Sequence, residues 1–319
     1  MSTKKVFIVG REGTTGLRID ERLSGRKDIE LLSIADKDRK DMTKIAEVAA
    51  QADLIFLCLP DAASREVVEA TKDLDCKIID ASTAFRTDPN WAYGFPELSP
   101  EHRQKIATSR LIANPGCHAS GTIAILAPLI KSGLVPADYP VTAFSLTGYS
   151  GGGKKMIAQY EDELKGNGLY APRQYGLGQT HKHMPEVVNE TGLTEPPIFQ
   201  PIVDDYYAGM ESSIGFHLSK CKANSAKEIW NVLHEQYKDS PIVKVAPFDL
   251  EETNSMFLAA NENTGLDGMT IYVSGNDDRV VVHALFDNLG KGASGAAVQC
   301  MNIALGFPEE TGLALNRYE

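Results

Sequence analysis

The 319-residue sequence predicts an α/β protein with a doubly wound parallel sheet and, after it, an α+β domain with a mixed or antiparallel sheet. Three observations lead to this prediction. Short apolar segments alternate with helical ones in the first third of the chain, which is typical of right-handed crossovers and a parallel sheet. A glycine-rich turn directly follows the first apolar segment. After about residue 114, several segments alternate polar and apolar residues, as expected for a sheet with one solvated face.

The individual elements follow from these patterns. In the first part, strands are predicted at 5–9, 29–35, 54–59, 77–80 and 111–113, and helices at 14–24, 42–51 and 61–72. In the second part, strands are predicted at 141–146, 213–218, 269–273 and 280–286, and helices at 122–130 and 295–305. Continuous apolar runs such as 54–59 are typical of strands that are covered on both faces.

The composition restricts the class of protein. The formal net charge of −11 argues against a nucleic-acid-binding surface, which needs a basic patch. No apolar stretch is long enough to predict a membrane helix. The five cysteines include no C-x-x-C pair, and the first residues run into a strand without a leader pattern. We therefore expect a cytoplasmic protein with reduced thiols.

The turn after the first strand has the spacing of a nucleotide-binding loop. It contains Gly10, Gly13 and Gly16, with Thr14 and Thr15 opening the helix. Glycines permit a tight turn and close backbone approach, and the helix N-terminus offers N–H groups to a pyrophosphate. This position, between strand one and helix one, predicts a Rossmann-type dinucleotide site. The alternative is a strand–helix turn that binds no ligand.

The end of the second predicted strand bears on the choice of cofactor. Asp36 follows the last glycine by twenty residues, where an acid commonly accepts hydrogen bonds from the ribose hydroxyls of NAD. Lys37, Arg39 and Lys40 follow at once and would neutralise the additional phosphate of NADP. A solvated charged loop is a third interpretation. The sequence leaves the choice open, and we favour NADP.

Cys117 has the position expected of a nucleophile. It follows Asn114-Pro115-Gly116 and precedes a predicted helix, and a helix N-terminus favours the thiolate. A buried capping cysteine is the alternative. A cysteine nucleophile beside a nicotinamide site indicates one chemistry, in which an acyl group forms a thioester and hydride transfer reduces it to an aldehyde.

The segment from His181 to Glu186 concentrates groups that transfer protons. Two histidines, His181 and His183, and Glu186 lie in a proline-containing segment that we interpret as a loop, where they would supply an acid/base and its orienting carboxylate. An H-x-H metal site and a polar surface turn are the alternatives, and no further ligand at familiar spacing completes a metal site. His118 adjoins Cys117 but is a poor base for it, because neighbouring helical side chains do not face each other.

Two more segments provide candidate anion-binding groups. Arg86 follows the predicted strand at 77–80, where a guanidinium would face the ligand crevice and bind phosphate or carboxylate. The sequence Tyr149-Ser150-Gly151-Gly152-Gly153-Lys154 follows the strand at 141–146, and its backbone would wrap an anion. A flexible connector is the alternative for the glycines.

Eight motifs occur together along the chain. They are EGTTGL (12–17), LCLPD (57–61), DASTAFR (80–86), YGFPEL (93–98), NPGC (114–117), GYSGGGK (148–154), HKHMPE (181–186) and NLGKGASGAAVQ (288–299). In content and order they resemble the N-acetyl-gamma-glutamyl-phosphate reductase family, and more closely its shorter subclass, over nearly the whole length. Two departures are visible. His118-Ala119-Ser120 stands where the family commonly has Tyr-Pro-Thr, and Gly10 stands where the subclass often has an acid.

The resemblance implies a function and a set of roles. It implies reduction by NADPH of N-acetyl-glutamyl 5-phosphate to N-acetyl-glutamate 5-semialdehyde, with release of phosphate, in arginine biosynthesis. Cys117 would be the nucleophile, and one of His181 and His183 the proton-transfer group. Further expected cofactor-binding residues are Pro60, Ser82, Asn288 and Gly290. The expected substrate-binding residues are Arg86, Asn114, Ser150, Gly151 and Lys182.

The resemblance also implies a domain organisation and an assembly. Residues 1–116 and 291–319 would form the NAD(P)-binding domain, because the last helix returns to it, and residues 117–290 the catalytic and dimerisation domain. A homodimer or homotetramer is expected. Aspartate-semialdehyde dehydrogenase, which shares the chemistry, and a non-catalytic NADP-binding sensor are the alternative functions.

Overall fold

The computed structural model describes residues 3–315. The strands in this range are β1 (Lys4–Val9), β2 (Ile29–Leu32), β3 (Leu54–Leu57), β4 (Lys77–Asp80), β5 (Ala92–Tyr93), β6 (Leu111–Ala113), β7 (Thr142–Gly148), β8 (Arg173–Gln174), β9 (Ile198–Asp204), β10 (Met210–His217), β11 (Val243–Val245), β12 (Met269–Gly275) and β13 (Arg279–Phe286). The helices are α1 (Thr14–Leu23), α2 (Met42–Ala49), α3 (Asp61–Ala70), α4 (Pro100–Thr108), α5 (Cys117–Lys131), α6 (Gly153–Tyr160), α7 (Met184–Thr191), α8 (Ala226–Tyr237), α9 (Leu250–Ser255) and α10 (Gly295–Leu305).

The chain divides into two compact units, and the first comprises Met1–Gly116 and Ala293–Leu313. Its sheet has the strand order β2-β1-β3-β4-β6-β5, and all of its pairings are parallel. Because β2 and β3 lie on opposite sides of β1, the strand order reverses there, and such a reversal opens a crevice beyond the carboxyl ends of the strands. The predicted doubly wound parallel sheet is confirmed.

The strands of the first unit are apolar on both faces because both faces are covered. Val6 and Ile8 of β1 share one core cluster with Val298 and Met301 of α10. Phe7, the residue between them, faces the opposite cluster, which includes Ile45 of α2 and Val67 of α3. The C-terminal helix is therefore part of the core of the first unit.

The second unit comprises Cys117–Gly292 and Ala314–Glu319. Its sheet has the strand order β11-β12-β13-β10-β7-β9-β8. Neighbours β7 and β9 are parallel, whereas β7 and β10 are antiparallel, so the predicted mixed sheet is confirmed. Exposure alternates along β7, β9 and β13, as expected for a sheet with one packed face. Helix α5 packs against β10 and β13 and is buried along most of its length.

The first unit resumes at Ala293 and ends at Leu313. Ala314 lies with the second unit. Its backbone N–H donates to Asp267, and its carbonyl oxygen accepts a hydrogen bond from the Asp267 backbone 2.6 Å away. The outermost parts of the predicted domain, residues 1–2 and 316–319, lie outside the described residues.

Candidate active site

The turn between β1 and α1 requires glycine at two of its predicted positions. Gly10 has φ of +83°, and a Cβ there would collide with the carbonyl oxygen of Cys58. A Cβ on Gly16 would lie 2.5 Å from the carbonyl oxygen of Gly10. The N-cap of α1 is Gly13, which brings no capping side chain to the first-turn amides of Thr14 and Thr15. A tight turn that leads into such a helix N-terminus fits the pyrophosphate of a dinucleotide.

One of the predicted cations of the first unit, Arg39, lies beside this turn. Asp36 begins a 3-10 turn after β2, and Asp36, Arg39 and Lys40 are exposed. The Arg39 guanidinium is 3.4 Å from the carboxylate of Glu12, which belongs to the glycine turn itself. Charge of both signs is therefore available where the adenosine end of a dinucleotide would lie in this fold.

Pro60 and Ser82 follow the neighbouring strands β3 and β4. Pro60 is the N-cap of α3 and is exposed. The buried Ser82 hydroxyl donates to the Asp80 carboxylate at 2.6 Å. Burial raises the pKa of Asp80, and this hydrogen bond opposes the rise. The candidates after β1, β2, β3 and β4 thus share the carboxyl edge of one parallel sheet.

Arg86 is buried and forms hydrogen bonds with two loops of the first unit. Its Nε donates to the carbonyl oxygen of Asn114 at 2.9 Å, and one terminal nitrogen donates to the carbonyl oxygen of Ala81 at 3.1 Å. The Asn114 side chain in turn donates to the carbonyl oxygen of Ala293 at 3.0 Å. These bonds orient Arg86 and Asn114, which stand on the loops after β4 and β6.

Cys117 is the first residue of α5 and is half-buried. A Cβ on Gly292 would lie 3.0 Å from the Cβ of Cys117, so the segment after β13 passes directly over the cysteine.

The other four cysteines are in different surroundings. Desolvation raises the pKa of Cys58 to about 12 and also raises the pKa of Cys76 and Cys221. The buried Cys300 thiol donates to the carbonyl oxygen of Gly94.

Three histidines of the second unit form one cluster with Phe199. The ring centroids of His181 and His183 are 4.7 Å apart, and the His118 centroid lies 5.6 Å from that of His181 and 5.8 Å from that of His183. Phe199 of β9 packs on His118 and His181.

His183 is the N-cap of α7, so the prediction of a loop for this segment is wrong from Met184 onward. Proline is tolerated in a first helical turn, which is where Pro185 lies.

The residues from His181 to Glu186 differ in their hydrogen bonds and in their burial. The His181 Nδ1 atom accepts a hydrogen bond of 3.3 Å from the backbone of His183. His183 and Glu186 are both buried, three residues apart at the start of α7. Lys182, between the two histidines, is exposed.

His118 connects the cluster to the sheet. Its Nδ1 lies 2.7 Å from the Ser145 hydroxyl of β7, and its Nε2 lies 2.6 Å from the hydroxyl of Tyr175. Ser145 is paired with Ser212 of β10, and their hydroxyl oxygens are 3.2 Å apart. Burial, with a smaller contribution from His181, lowers the pKa of His118 to about 3. The ring is therefore neutral and has one donor and one acceptor nitrogen.

The glycine loop after β7 is tied to the segment after β13. The Asn288 amide nitrogen donates to the Ser150 hydroxyl at 3.0 Å, and its amide oxygen accepts from the Gly209 backbone at 2.8 Å. Gly151 is exposed beside it. A Cβ on Gly290 would collide with the carbonyl oxygen of Leu266, so this close approach requires glycine. The segment that passes over Cys117 is thereby held in place.

The structure gathers the predicted residues into two groups, one on each unit. The carboxyl edge of the parallel sheet bears the candidate cofactor residues together with Arg86 and Asn114. The second unit brings Cys117, His181, His183, Glu186, Ser150 and Asn288 onto connected elements. Tyr175, Ser145 and Ser212 are not predicted as site residues from the sequence, and no role is predicted for His118. Their spacing in the sequence does not predict these contacts. Ser145 lies on β7, Ser212 on β10 and Tyr175 before α7, so the contacts form between residues far apart in the chain.

Two further properties concern residues 3–315. Within this range, no group of three or more histidine, cysteine or acidic side chains is placed to hold a metal ion. In the same range, no helix combines the length and the apolar character needed to cross a membrane.

Comparison with known proteins agrees with this geometry. Residues 5–106 match the family model described as the NAD binding domain of semialdehyde dehydrogenases, and residues 117–288 match the model of their dimerisation domain. The structure of aspartate semialdehyde dehydrogenase II from Vibrio cholerae is similar, with a TM-score of 0.71 at 14% identity, covering 96% of this chain and 99% of that one. A probable aspartate-semialdehyde dehydrogenase from Pseudomonas aeruginosa has a TM-score of 0.72 at 15% identity, covering 95% and 99%. Fold and site thus define the semialdehyde dehydrogenase class of nicotinamide-dependent enzymes.

Sequence relatives narrow the class. N-acetyl-gamma-glutamyl-phosphate reductase 2 of Nostoc sp. (strain PCC 7120) is 43% identical over 322 residues, which cover 98% of this chain and all of the relative. N-acetyl-gamma-glutamyl-phosphate reductase of Brucella ovis is 45% identical over 307 residues, covering 95% of this chain and 99% of the relative. The chain belongs to the N-acetyl-gamma-glutamyl-phosphate reductase family.

Proposed function

We propose that this protein reduces N-acetyl-gamma-glutamyl phosphate to N-acetyl-glutamate 5-semialdehyde with NADPH and releases phosphate, a step of arginine biosynthesis. The observation that carries the proposal is the position of Cys117. It begins a buried helix, lies under the segment at Gly292, and adjoins His118 of the histidine cluster. Relatives of this name that match along nearly the whole chain support the choice of substrate.

Cys117 performs the covalent step. Its thiolate attacks the acyl carbon, the bond from that carbon to the phosphate oxygen breaks, and a thioester remains on Cys117. The partial positive charge of the α5 N-terminus stabilises the thiolate before attack and the oxyanion that develops afterwards. Bound NADPH supplies the hydride that reduces the acyl group to the aldehyde. The carbon–sulfur bond then breaks and the thiolate of Cys117 is restored.

His183 is the proton donor to the departing phosphate in this proposal. It is buried, and Glu186 follows it on α7 at the spacing that places both at the start of the same helix, where the carboxylate orients the ring. His181 is half-buried, and its Nδ1 atom accepts a hydrogen bond from the backbone, so it holds the turn that presents His183.

The first unit holds the cofactor in this proposal. The turn at Gly10, Gly13, Thr14, Thr15 and Gly16 binds the pyrophosphate, and Asp36, Arg39 and Lys40 bind the adenosine ribose with its phosphate, in favour of NADP. Pro60 and Ser82, also of the first unit, bind the nicotinamide, and we propose Asn288 and Gly290 of the second unit as further nicotinamide-binding residues. Arg86, Asn114, Ser150, Gly151 and Lys182 bind the phosphate and carboxylate groups of the substrate.

Two properties of the whole protein complete the proposal. We infer a homodimer or homotetramer, in keeping with the described role of the family model that spans 117–288. We also infer a cytoplasmic location, in keeping with five cysteines that form no disulfide.

The test compares two semialdehydes. Phosphate-dependent oxidation of N-acetyl-glutamate semialdehyde and of aspartate semialdehyde is measured with NADP⁺ and with NAD⁺. We expect faster turnover of the N-acetylated compound and a higher kcat/KM with NADP⁺. Faster oxidation of aspartate semialdehyde would replace the proposal with the alternative dehydrogenase, and cofactor binding without turnover of either would indicate a sensor.

A further inference from the structure

We propose that Gln179 is a positioning residue for the histidine cluster: its side-chain amide is fixed on the backbone of Phe199 and thereby holds His181 and the turn that presents His183. The proposal rests on the proposed function in taking His183 as the proton donor. It gives a role to a residue of the segment between β8 and α7 that neither the covalent step nor the proton transfer uses.

The backbone of Gln179 has an unusual conformation. Its φ is +58°, and within the described range 3–315 it is the one residue other than glycine with a positive φ. A side chain raises the energy of this region, which glycine adopts freely. The same segment uses glycine for this region at Gly176, where φ is +62°. Glutamine at position 179 has a backbone cost that glycine would avoid, which indicates a requirement for its side chain.

The side chain of Gln179 pairs with the backbone of β9. Its amide nitrogen donates to the carbonyl oxygen of Phe199 at 2.9 Å, and its amide oxygen accepts from the Phe199 N–H at 2.8 Å. A primary amide carries both a donor and an acceptor, as a peptide group does. Strand β8 has two residues, which pair with Ile202 and Val203 of β9. At Phe199, on the same edge of β9, the Gln179 amide takes the place of a neighbouring strand.

Phe199 connects this pairing to the histidines. It is buried, and its ring centroid lies 5.0 Å from that of His181 and 5.3 Å from that of His118. Gln179 precedes His181 by two residues in the chain. The backbone, the Gln179 amide and the Phe199 ring therefore form a closed set of contacts that fixes the position of the His181 imidazole.

His181 in turn fixes the start of α7. Its Nδ1 atom accepts from the backbone N–H of His183 at 3.3 Å, and its carbonyl oxygen accepts from the backbone N–H of Met184 at 3.0 Å. His183 is the N-cap of this helix. A displacement of His181 therefore displaces His183. Misplacement of a reacting group by about 1 Å lowers a rate by up to about a hundredfold.

The experiment measures the exposure of His181 without substrate or cofactor. Diethyl pyrocarbonate modifies histidine rings, and the rate is followed by mass spectrometry of tryptic peptides. Cleavage after Lys182 places His181 in the peptide 174–182, apart from His183. The rate for His181 is divided by the rate for His234 of α8 in the same sample.

The variants separate the amide from the backbone conformation. Gln179→Met keeps the length of the side chain and removes both hydrogen bonds, whereas Gln179→Gly removes the side chain together with the strain at φ of +58°. Gln179 is exposed, so neither change leaves a cavity in the core. Gln174→Met is the matched control, because it makes the same change at an exposed glutamine of β8 in the same peptide. For each protein, kcat and KM for N-acetyl-glutamate semialdehyde are also measured.

Both variants at position 179 should expose His181. We expect modification to be about fivefold faster or more in Gln179→Met and in Gln179→Gly, because local opening is easier once the hydrogen bonds are lost. The value of kcat should fall about tenfold or more while KM stays within about twofold, because the proton-transferring group is displaced and the groups that bind substrate are not. Gln174→Met should keep the wild-type modification rate, kcat and KM.

A wild-type modification rate in Gln179→Met would overturn the proposal. A wild-type rate in Gln179→Gly alone would also overturn it, since the backbone strain and not the amide would then be responsible for the effect in Gln179→Met. Faster modification with an unchanged kcat would show that the amide positions no group of the reaction. Modification needs no semialdehyde, so faster modification in a protein that oxidises neither semialdehyde would support the hold of Gln179 on His181 and contradict the proposed function.

Discussion

The Nε2 atom of His118 lies 2.6 Å from the hydroxyl oxygen of Tyr175, and this contact joins the helix that begins at Cys117 to the segment that leads to His181 and His183. The two residues are 57 positions apart in the chain. A buried neutral histidine therefore links α5 to the segment that precedes α7, and its ionisation affects the folded state.

The protein should become less stable as the pH decreases, because His118 is buried in its neutral form. The pKa of His118 is lowered from 6.5 to about 3 by burial, so the unfolded chain binds the proton more tightly. The stabilisation is complete above pH 6.5 and is lost as the pH falls from there towards 3. Between pH 7.5 and pH 5 the loss is about 2 kcal/mol.

Urea denaturation of the wild type and of His118→Gln at these two pH values checks this prediction. The free energy of unfolding of the wild type should fall by about 2 kcal/mol more than that of the variant. Parallel decreases in the two proteins would show that His118 is not the group responsible.

The glycine turn after β1 should not tolerate a side chain at Gly10. Gly10→Ala places a Cβ at φ of +83° and against the carbonyl oxygen of Cys58. We expect destabilisation of about 2 kcal/mol or more and at least a tenfold weaker affinity for NADPH. Gly25→Ala is the matched control, because its Cβ would meet nothing within 4 Å. Urea denaturation and a fluorescence titration with NADPH measure the two effects, and equal behaviour of the two variants would refute the role of the turn.

We expect a preference for NADP that depends on two exposed cations, Arg39 and Lys40. Removing the charges in Arg39→Ala/Lys40→Ala should lower kcat/KM with NADPH by about tenfold or more, because charge-assisted bonds to the additional phosphate are lost. The value with NADH should change little. Lys44→Ala on α2 is the control, since Lys44 pairs with Glu47 on the same helix. An equal loss with both cofactors would assign Arg39 and Lys40 a structural role instead.

Cys117→Ala should abolish turnover while NADPH binding persists. Cys117 belongs to the second unit, whereas the glycine turn belongs to the first. Cys221→Ala, at a half-buried thiol whose pKa is raised by burial, should retain activity. Steady-state assays and a binding titration separate the two effects. Turnover retained in Cys117→Ala would exclude covalent catalysis at this residue.

Local sequence patterns predicted the parallel sheet well, because its strands are continuous apolar runs. The predicted second strand, 29–35, is too long, since β2 ends at Leu32 and a 3-10 turn begins at Asp36. Strand β9 and helix α8 were not predicted. The sequence predicts a loop at His183 and Pro185, whereas helix α7 begins at Met184, because a proline at the start of a helix costs little.

Site residues were predictable only where a short motif contains them. Neighbouring helical side chains do not face each other, and this rule predicts that His118 is a poor base for Cys117. It gave no indication that Ser145, on β7, and Tyr175, after β8, would meet the ring from opposite sides. Such contacts depend on strand pairing and on helix packing over long sequence separations, which no local spacing encodes.

Oxidation of N-acetyl-glutamate semialdehyde without phosphate tests covalent catalysis at Cys117, because the thioester then has no acceptor but water. The enzyme is mixed with this substrate and NADP⁺, NADPH is followed by absorbance, and the Cys117 peptide is weighed after acid quenching. We expect a rapid burst of a single equivalent of NADPH per subunit, an N-acetyl-glutamyl adduct on Cys117, and rapid turnover once phosphate is added. Steady phosphate-independent turnover without an adduct, or an adduct on another cysteine, would contradict it.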